Sequence, residues 1–296
     1  MVLIGVLALQ GAFEEHESAL KACSDSVSTV QIRTAAQIRS LKLDGIVLPG
    51  GESTAMGLVG QVTESIWEEL KKFINVEKRP AWGTCAGMIL LAEKVVGASA
   101  VIVGGQAIIG GLDVLVCRNY FGSQISSFEL GIPPPPSSSS SSSKASPEAE
   151  DLYPGVFIRA PAILSVSSDI TVLSAVDAVP CRQANTTLEE LDARISRGED
   201  VTMLGVKATD DDDNWMNDDK EGGGEKKRRK IEKNKGDKAE KGEALTLPGA
   251  TGKGGGRRVV CAARKGNVLC TSFHPELTDD LRWHEYFLRD IVGAKL

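Results

Sequence analysis

The sequence has no Cys-x-x-Cys pair, no long unbroken apolar stretch and no surplus of basic over acidic residues. Each absence removes a class of protein. The six cysteines (Cys23, Cys85, Cys117, Cys181, Cys261 and Cys270) are scattered, most of them inside apolar runs. A disulfide scaffold would be smaller and denser in cysteine, and a zinc site would need tighter ligand spacing. The expectation is therefore reduced thiols in the cytoplasm. With 34 Lys and Arg against 40 Asp and Glu, the formal net charge is -6. That balance gives no electrostatic footprint for nucleic acid. No segment stays apolar over the ~20 residues that a membrane helix requires. The opening run MVLIGVLALQG lacks a basic n-region and a cleavage site, and reads as a buried first strand. There is no internal repeat.

What is present, at 42% apolar residues, is enough to build a core. Val2–Leu9 is a continuous β-prone run broken by Gln10-Gly11, and Phe13–Ala22 has helical character. Asp44–Leu48 reads as a second buried strand ending in Pro49-Gly50-Gly51, and Ser65–Ile74 as an amphipathic helix. Pro80–Gly83 leads through Thr84-Cys85-Ala86-Gly87 into an apolar helix over Met88–Val95. Strands alternating with helices, and too apolar to be half-exposed, predict an α/β fold whose parallel sheet is covered on both faces. Ligand sites in such sheets gather at the carboxyl ends of the strands. The glycine breaks at Gly11, Gly50-Gly51 and Gly83 all belong to that edge.

Two stretches break the pattern. Pro133–Pro136 runs into Ser137–Ser143, a stiff segment followed by a flexible one. Residues 131–150 are expected to form an exposed loop insertion. Residues 182–256 open with a helix-prone piece, Thr187–Arg197, then pass through Asp210–Asp213 and Lys226–Lys230 before ending in glycines. Like-charge blocks with few apolar residues cannot offset chain entropy, so most of this second insertion is expected to be disordered. Lys226–Lys230 reads either as a nuclear-import signal or nucleic-acid patch, or as a solvated charge run neutralised by neighbouring acids. Removing both stretches leaves one domain's worth of chain.

Three motifs carry chemistry. Gly83-Thr84-Cys85-Ala86-Gly87 has the Gly-x-nucleophile-x-Gly pattern of a nucleophile elbow between strand and helix. Small neighbours permit the sharp turn, and the helix N-terminus favours a thiolate. A buried structural cysteine at a tight turn fits the same five residues. Phe273-His274-Pro275-Glu276 follows a strand-like Asn267–Ser272. Residues two apart in an extended segment share a side, so Glu276 can fix the ring of His274 and leave its other nitrogen as base. Of three histidines, His16 and His284 lie in helical patterns, where a solvated or packed role is expected. Pro49-Gly50-Gly51-Glu52-Ser53-Thr54 lets backbone N–H groups approach a ligand as an oxyanion hole requires, and lacks the lysine and spacing of a phosphate loop.

Together the motifs resemble the class I, triad-type glutamine amidotransferases. More narrowly, they resemble the family of glutaminase subunits of two-component pyridoxal 5′-phosphate synthase. The matching segments are IGVLALQGAFEEH, DGIVLPGGEST, GTCAGMILLA, GGLDVLVCRNYFGSQISSFE, GVFIRAP and SFHPELTDD. The resemblance implies a flavodoxin-like three-layer αβα fold, a single domain over residues 1–296 interrupted by the two insertions. It implies Cys85 as nucleophile, His274 as base, Glu276 as orienting acid, and Gly51 and Ala86 as oxyanion donors. Glutamine binding falls on Gly51, Glu52, Ser53, Arg118, Ile158 and Arg159. By charge alone Arg118 and Arg159 fit a surface or structural role equally well; an Arg fork suits an α-carboxylate, which makes one of them the candidate anchor. The implied reaction is hydrolysis of L-glutamine to glutamate and ammonia through a thioester. The ammonia would pass to a (β/α)8-barrel synthase subunit in a large hetero-oligomer, which combines it with ribose 5-phosphate and glyceraldehyde 3-phosphate. The resemblance implies no metal and no pyridoxal phosphate bound by this chain. Two other readings stay open: a class I glutaminase serving another acceptor, and a non-catalytic binding protein on the same scaffold.

Overall fold

The computed structural model describes residues 1–63, 66–97, 109–122, 127–136, 151–197 and 257–296. All of them fall in one unit, Met1–Lys207 with Leu247–Leu296. The serine tract, the charged stretch beyond residue 197 and the basic run Lys226–Lys230 lie outside the described residues.

The N-terminal half winds strand and helix alternately: β1 (Val2–Leu7), α1 (Phe13–Cys23), β2 (Val27–Ile32), α2 (Ala35–Ser40), β3 (Gly45–Leu48), α3 (Ser53–Val62) and α4 (Ile66–Lys71). The last continues as a wider π turn over Lys72–Val76. Then come β4 (Ala81–Thr84), α5 (Ala86–Leu91) and β5 (Ala92–Val96). The sequence pattern carries a helix through Val95. Instead the helix stops at Leu91, and Ala92–Val96 pairs with the next strand in parallel. The exposed Glu93 and Lys94 followed by β-branched Val95-Val96 suit a strand beside a covered sheet better than a helix interior.

Beyond it lie β6 (Leu112–Cys117), β7 (Phe128–Ile132), β8 (Tyr153–Phe157), β9 (Ala162–Val166), β10 (Thr171–Ala178) and α6 (Arg182–Ser196). The chain closes with β11 (Arg257–Lys265), β12 (Val268–Thr271), α7 (Arg282–Tyr286) and a π turn over Phe287–Val292. The insertion boundaries shift inward. Gly131 and Ile132 belong to β7, which pairs with β8 as a two-stranded ribbon, because Ile132 is fully buried. Helix α6 begins at Arg182 rather than Thr187. Its Ala184, Leu188 and Leu191 recur at helical spacing and are buried in the core.

The large sheet runs β2-β1-β3-β4-β12-β11-β9-β6-β5. Its first five strands are all parallel, in the order of a flavodoxin-type sheet. From β12 to β6 the neighbours are antiparallel, and the edge pair β6-β5 is parallel again, so the sheet is mixed, with its continuous parallel run in the half that carries the site. Alternation along each parallel strand feeds two cores. Ile4, Val6, Val47 and Trp82 point to the face covered by α1 and α7, against Trp283 and Phe287. Leu7, Ile46, Leu48 and Ala81 point to the other face, against residues of α2, α3, α4 and α5. Because both faces are buried, the strands read as unbroken apolar runs. Parallel register then aligns their carboxyl ends: Leu48 sits beside Gly83, and Thr84 beside Thr271. The loops after β1, β3, β4 and β12 therefore open on one edge.

Candidate active site

Cys85 stands at the end of β4 with φ 46° and ψ -99°, a left-sided backbone that side chains rarely adopt. Its N–H donates to the Thr271 carbonyl at 2.8 Å, tying the turn to β12. The flanking glycines are required by close approach. A Cβ on Gly83 would run into the Gly87 backbone, and one on Gly87 would overlap the Leu48 carbonyl oxygen. The sharp strand-to-helix turn expected around Cys85 is thus a steric fact of the fold. Cys85 is 6% exposed.

His274 lines the same cleft as Cys85, and its Nδ1 lies 2.8 Å from Glu276 Oε1. The two residues were expected to meet along an extended segment. They meet instead across a 3-10 turn, Pro275–Leu277, opened by His274 itself. The backbone N–H of His274 is held by the Val156 carbonyl at 2.8 Å, so β8 fixes this residue from the far side. Burial by itself would lower the His274 pKa. The adjoining Cys85 and Glu276 outweigh that and raise it well above imidazole's ordinary value. Burial would likewise raise Glu276, but His16 and His274 together bring it down to about 2.

The loop after β3 approaches from the other side. Neither Gly50 nor Gly51 has room for a Cβ: the first would strike the His274 ring, the second the Gln10 side chain. The Gly50 carbonyl accepts from Ala12 N–H at 3.0 Å. Carbonyl and N–H of one trans peptide point opposite ways, which turns the Gly51 N–H away from Ala12. Gln10 Oε1 accepts the Glu52 N–H at 2.7 Å, bracing the loop. As the first residue of α5, Ala86 offers an N–H with no acceptor inside its own helix.

Cys85 and His274 share a cavity of about 180 Å³ with Gly51, Glu52, Ser53, Arg118, Ile158 and Arg159. Eight of the ten expected site residues therefore line one cleft. The other two are Glu276, behind His274, and Ala86, buried under Cys85. The Glu52 carboxylate does not face the cleft freely. It caps α3, accepting from Thr54 N–H at 3.1 Å and Ala55 N–H at 2.7 Å. Burial, first among its influences, is overcome by these bonds and by Arg118, and its pKa falls. The Arg118 side chain is 6% exposed, with Nη2 3.2 Å from Thr54 Oγ1 and 3.7 Å from Glu52 Oε1. Its Nε and Nη1 are buried and, among the described residues, meet no protein partner. Arg159 is half-buried with φ 46°. Gln10, Ile89, Asn119 and Pro161 complete the lining. Of these only Gln10 left a signal in the sequence, at the break after the first strand.

A thiol, an imidazole and a carboxylate in line at the carboxyl edge of a parallel sheet are what nucleophilic catalysis on an amide requires. The open fork of Arg118 adds a place for a small anion. Fold and site define an α/β protein arranged for thiol chemistry on a small amide. The model of the SNO glutamine amidotransferase family matches residues 6–188 and 237–293. A relative named "Pyridoxal 5'-phosphate synthase subunit PdxT", from Anoxybacillus flavithermus, is 40% identical over 295 residues, covering 100% of both chains. "Probable pyridoxal 5'-phosphate synthase subunit PDX2" of Arabidopsis thaliana is 36% identical over 286 residues, covering 97% of this chain and 84% of its own. A crystal structure of a glutamine amidotransferase superposes with TM-score 0.58 at 26% identity, covering 98% of this chain and 99% of that one. The chain belongs to the SNO glutamine amidotransferase family.

Proposed function

We propose that the chain is the glutaminase subunit of a two-component pyridoxal 5′-phosphate synthase, working in the cytoplasm. The observation that carries the reading is the cleft that joins Cys85 and His274 to the unpaired Nε and Nη1 of Arg118. An amide reaching Cys85 and an amino-acid carboxylate reaching Arg118 are the two ends of L-glutamine.

The Cys85 thiolate attacks the carboxamide carbon. The resulting oxyanion lies between the N–H groups of Gly51 and Ala86. His274, held by Glu276, gives its proton to the departing ammonia, and a thioester remains on Cys85. His274 then takes a proton from water, whose oxygen displaces the sulfur and releases glutamate. Arg118 receives the α-carboxylate. The Ile158 backbone and Arg159 border the opposite wall, where the Ile158 carbonyl lies 4.0 Å from Cys85 Sγ. Ammonia passes to a (β/α)8-barrel synthase subunit docked at the sheet edge. Cys85→Ala should abolish glutamate release from glutamine by the reconstituted complex. Full residual activity would sink the assignment.

A further inference from the structure

Behind the site, three polar side chains are buried where the mechanism above makes no use of them. His16 of α1, Thr84 of β4 and His284 of α7 are each 0% exposed. His16 Nε2 lies 3.1 Å from Thr84 Oγ1 and 3.3 Å from Glu276 Oε2. Its Nδ1 lies 3.1 Å from His284 Nε2. Trp82 packs edge-on to both rings, at 5.5 and 5.0 Å, and closes the space between them.

We infer that His16, kept in one tautomer by His284, is a positioning residue that holds Glu276 in place behind His274. The inference rests on the glutaminase reading for its rate assay, and has a second test that does not.

The geometry leaves Glu276 few alternatives. Oε1 is taken by His274, while Oε2 is buried and meets no donor in hydrogen-bond geometry. Among the described residues, His16 Nε2 is the basic group within ion-pair distance of Oε2, with His274 on the other oxygen, and the carboxylate also draws on its own backbone N–H. Its approach is off the hydrogen-bond axis, so its effect on Oε2 is electrostatic, while Thr84 fixes the ring. An uncompensated buried carboxylate oxygen is costly, and this N–H dipole is what offsets it.

The tautomers follow by elimination. A bare Nε2 would set its lone pair against the carboxylate, which only accepts, and the reverse arrangement would put a proton on His284 Nδ1, so the His16 proton sits on Nε2. Nδ1 is then a bare acceptor and takes the N–H of His284 Nε2. That leaves His284 Nδ1 without a proton, and this atom is buried with no partner among the described residues. The opposite tautomer would bury an unsatisfied N–H donor. The chain therefore has one direction, His284 to His16 to Glu276 to His274.

Neutral rings serve this role better than a cation. A positive charge beside Oε2 would cancel the field by which Glu276 supports His274. The charged and titratable groups around His16 are Glu15 on its own helix, Glu276 and His274 from the segment after β12, and His284 from α7. Burial is the largest influence on His16 and lowers its pKa; Glu276 opposes it and His274 reinforces it. Burial and His16 lower His284 to about 3.

The test compares full-length wild type with His16→Gln, His16→Asn and His284→Leu. Gln can return a donor to the place of Nε2, whereas Asn is too short. Glutamate release with the synthase subunit present gives kcat and KM against pH. Alkylation of Cys85 by iodoacetamide, followed on its own peptide by mass spectrometry, gives a second pH profile without glutamine or partner. His16→Asn should lower kcat about 10- to 100-fold, as loss of an outer supporting group does in other sites. KM should hold, and the alkaline limb of both profiles should move to lower pH as His274 loses support. His16→Gln should recover most of the rate. His284→Leu should shift the same limb, and reads the chain from its far end if His16→Asn does not fold. Wild-type profiles in folded His16→Asn or His284→Leu would overturn the inference, and so would equal impairment of Gln and Asn. If wild type releases no glutamate, the glutaminase reading fails, and the alkylation profiles still judge His16.

Discussion

Replacing Arg118 with Met should weaken glutamine binding without weakening the fold. The guanidinium is buried, and in the free chain it has one neutral bond, to Thr54 at 3.2 Å, and one carboxylate, Glu52, at 3.7 Å. Two of its nitrogens are unpaired among the described residues. Burial accordingly lowers its pKa, with Glu52 only partly restoring it. A charge held this way costs the free protein stability that a bound carboxylate recovers. Truncating one partner of a buried, hydrogen-bonded charge pair costs about 2–5 kcal/mol. At 1.4 kcal/mol per tenfold, that is a loss of about 30- to 4000-fold in kcat/KM. Arg118→Met keeps the apolar length and removes the charge, so its melting temperature should equal or exceed wild type. Glu52 keeps its two N–H bonds at the head of α3. Steady-state glutamate release, measured with the synthase subunit, should show the loss chiefly as a raised KM. The amide 4-aminobutanamide, which is glutamine without its α-carboxylate, should bind equally weakly to both proteins. An unchanged KM in Arg118→Met would refute the assignment. So would a fall in melting temperature that accounts for the lost activity, since that outcome would make Arg118 a structural arginine.

Gly87→Ala should destabilise the protein by about 2 kcal/mol in chemical denaturation. Its Cβ collides with the Leu48 carbonyl at about 3 kcal/mol, against about 1 kcal/mol of favourable helix propensity; a gain in stability would show that the elbow has slack. Gly50→Ala should leave the fold intact and reduce glutamate release at least about 100-fold, because its Cβ enters the space of the His274 ring. Wild-type turnover would mean that the base sits elsewhere in the working enzyme. Lowering the pH should also unfold the protein through His284, whose folded pKa of about 3 lies below its ordinary 6.5. The unfolded chain binds that proton first, so the stability is fully present above pH 6.5 and is lost as pH falls toward 3, about 2 kcal/mol of it by about pH 5. Denaturant titrations at about pH 7 and 5 should show a smaller loss in His284→Gln, and equal losses would exclude the buried ring as the cause.

The parallel half of the fold was legible because covered strands cannot hide. Ile4, Val6 and Leu7, or Ile46, Val47 and Leu48, must be apolar at successive positions when both faces are buried. The antiparallel half was not legible. Strands β9, β10 and β11 carry Ser165, Ser174, Asp177 and the Arg257–Arg258 pair among their apolar residues. Such a pattern fits an edge strand, a loop or a helix equally well until pairing is known. The early end of α5 was missed for a related reason. Leu90, Leu91, Val95 and Val96 are all buried, and apolar pairs four to five positions apart around the exposed Glu93 and Lys94 fit a helical period as well as a break into a strand.

The site divides along the same line. Its backbone-dependent parts could be read because glycine is irreplaceable there. Gly50, Gly51, Gly83 and Gly87 each lie where a Cβ would meet backbone, the His274 ring or Gln10, so the chemistry of the turn is written in the sequence itself. Glu276 was legible only through its spacing from His274, and the expected extended geometry was not the one that joins them. His16 and His284 left no such mark. They stand 268 positions apart, on two helices, in patterns that suit any packed or exposed histidine. What distinguishes them is a meeting of three elements at Trp82 and Glu276, which no local pattern encodes. Residues that touch substrate are constrained by turns and can be found one motif at a time. Those that hold the first group in place are constrained by tertiary contact alone, and their purpose appears only when every buried donor and acceptor has been followed to its partner.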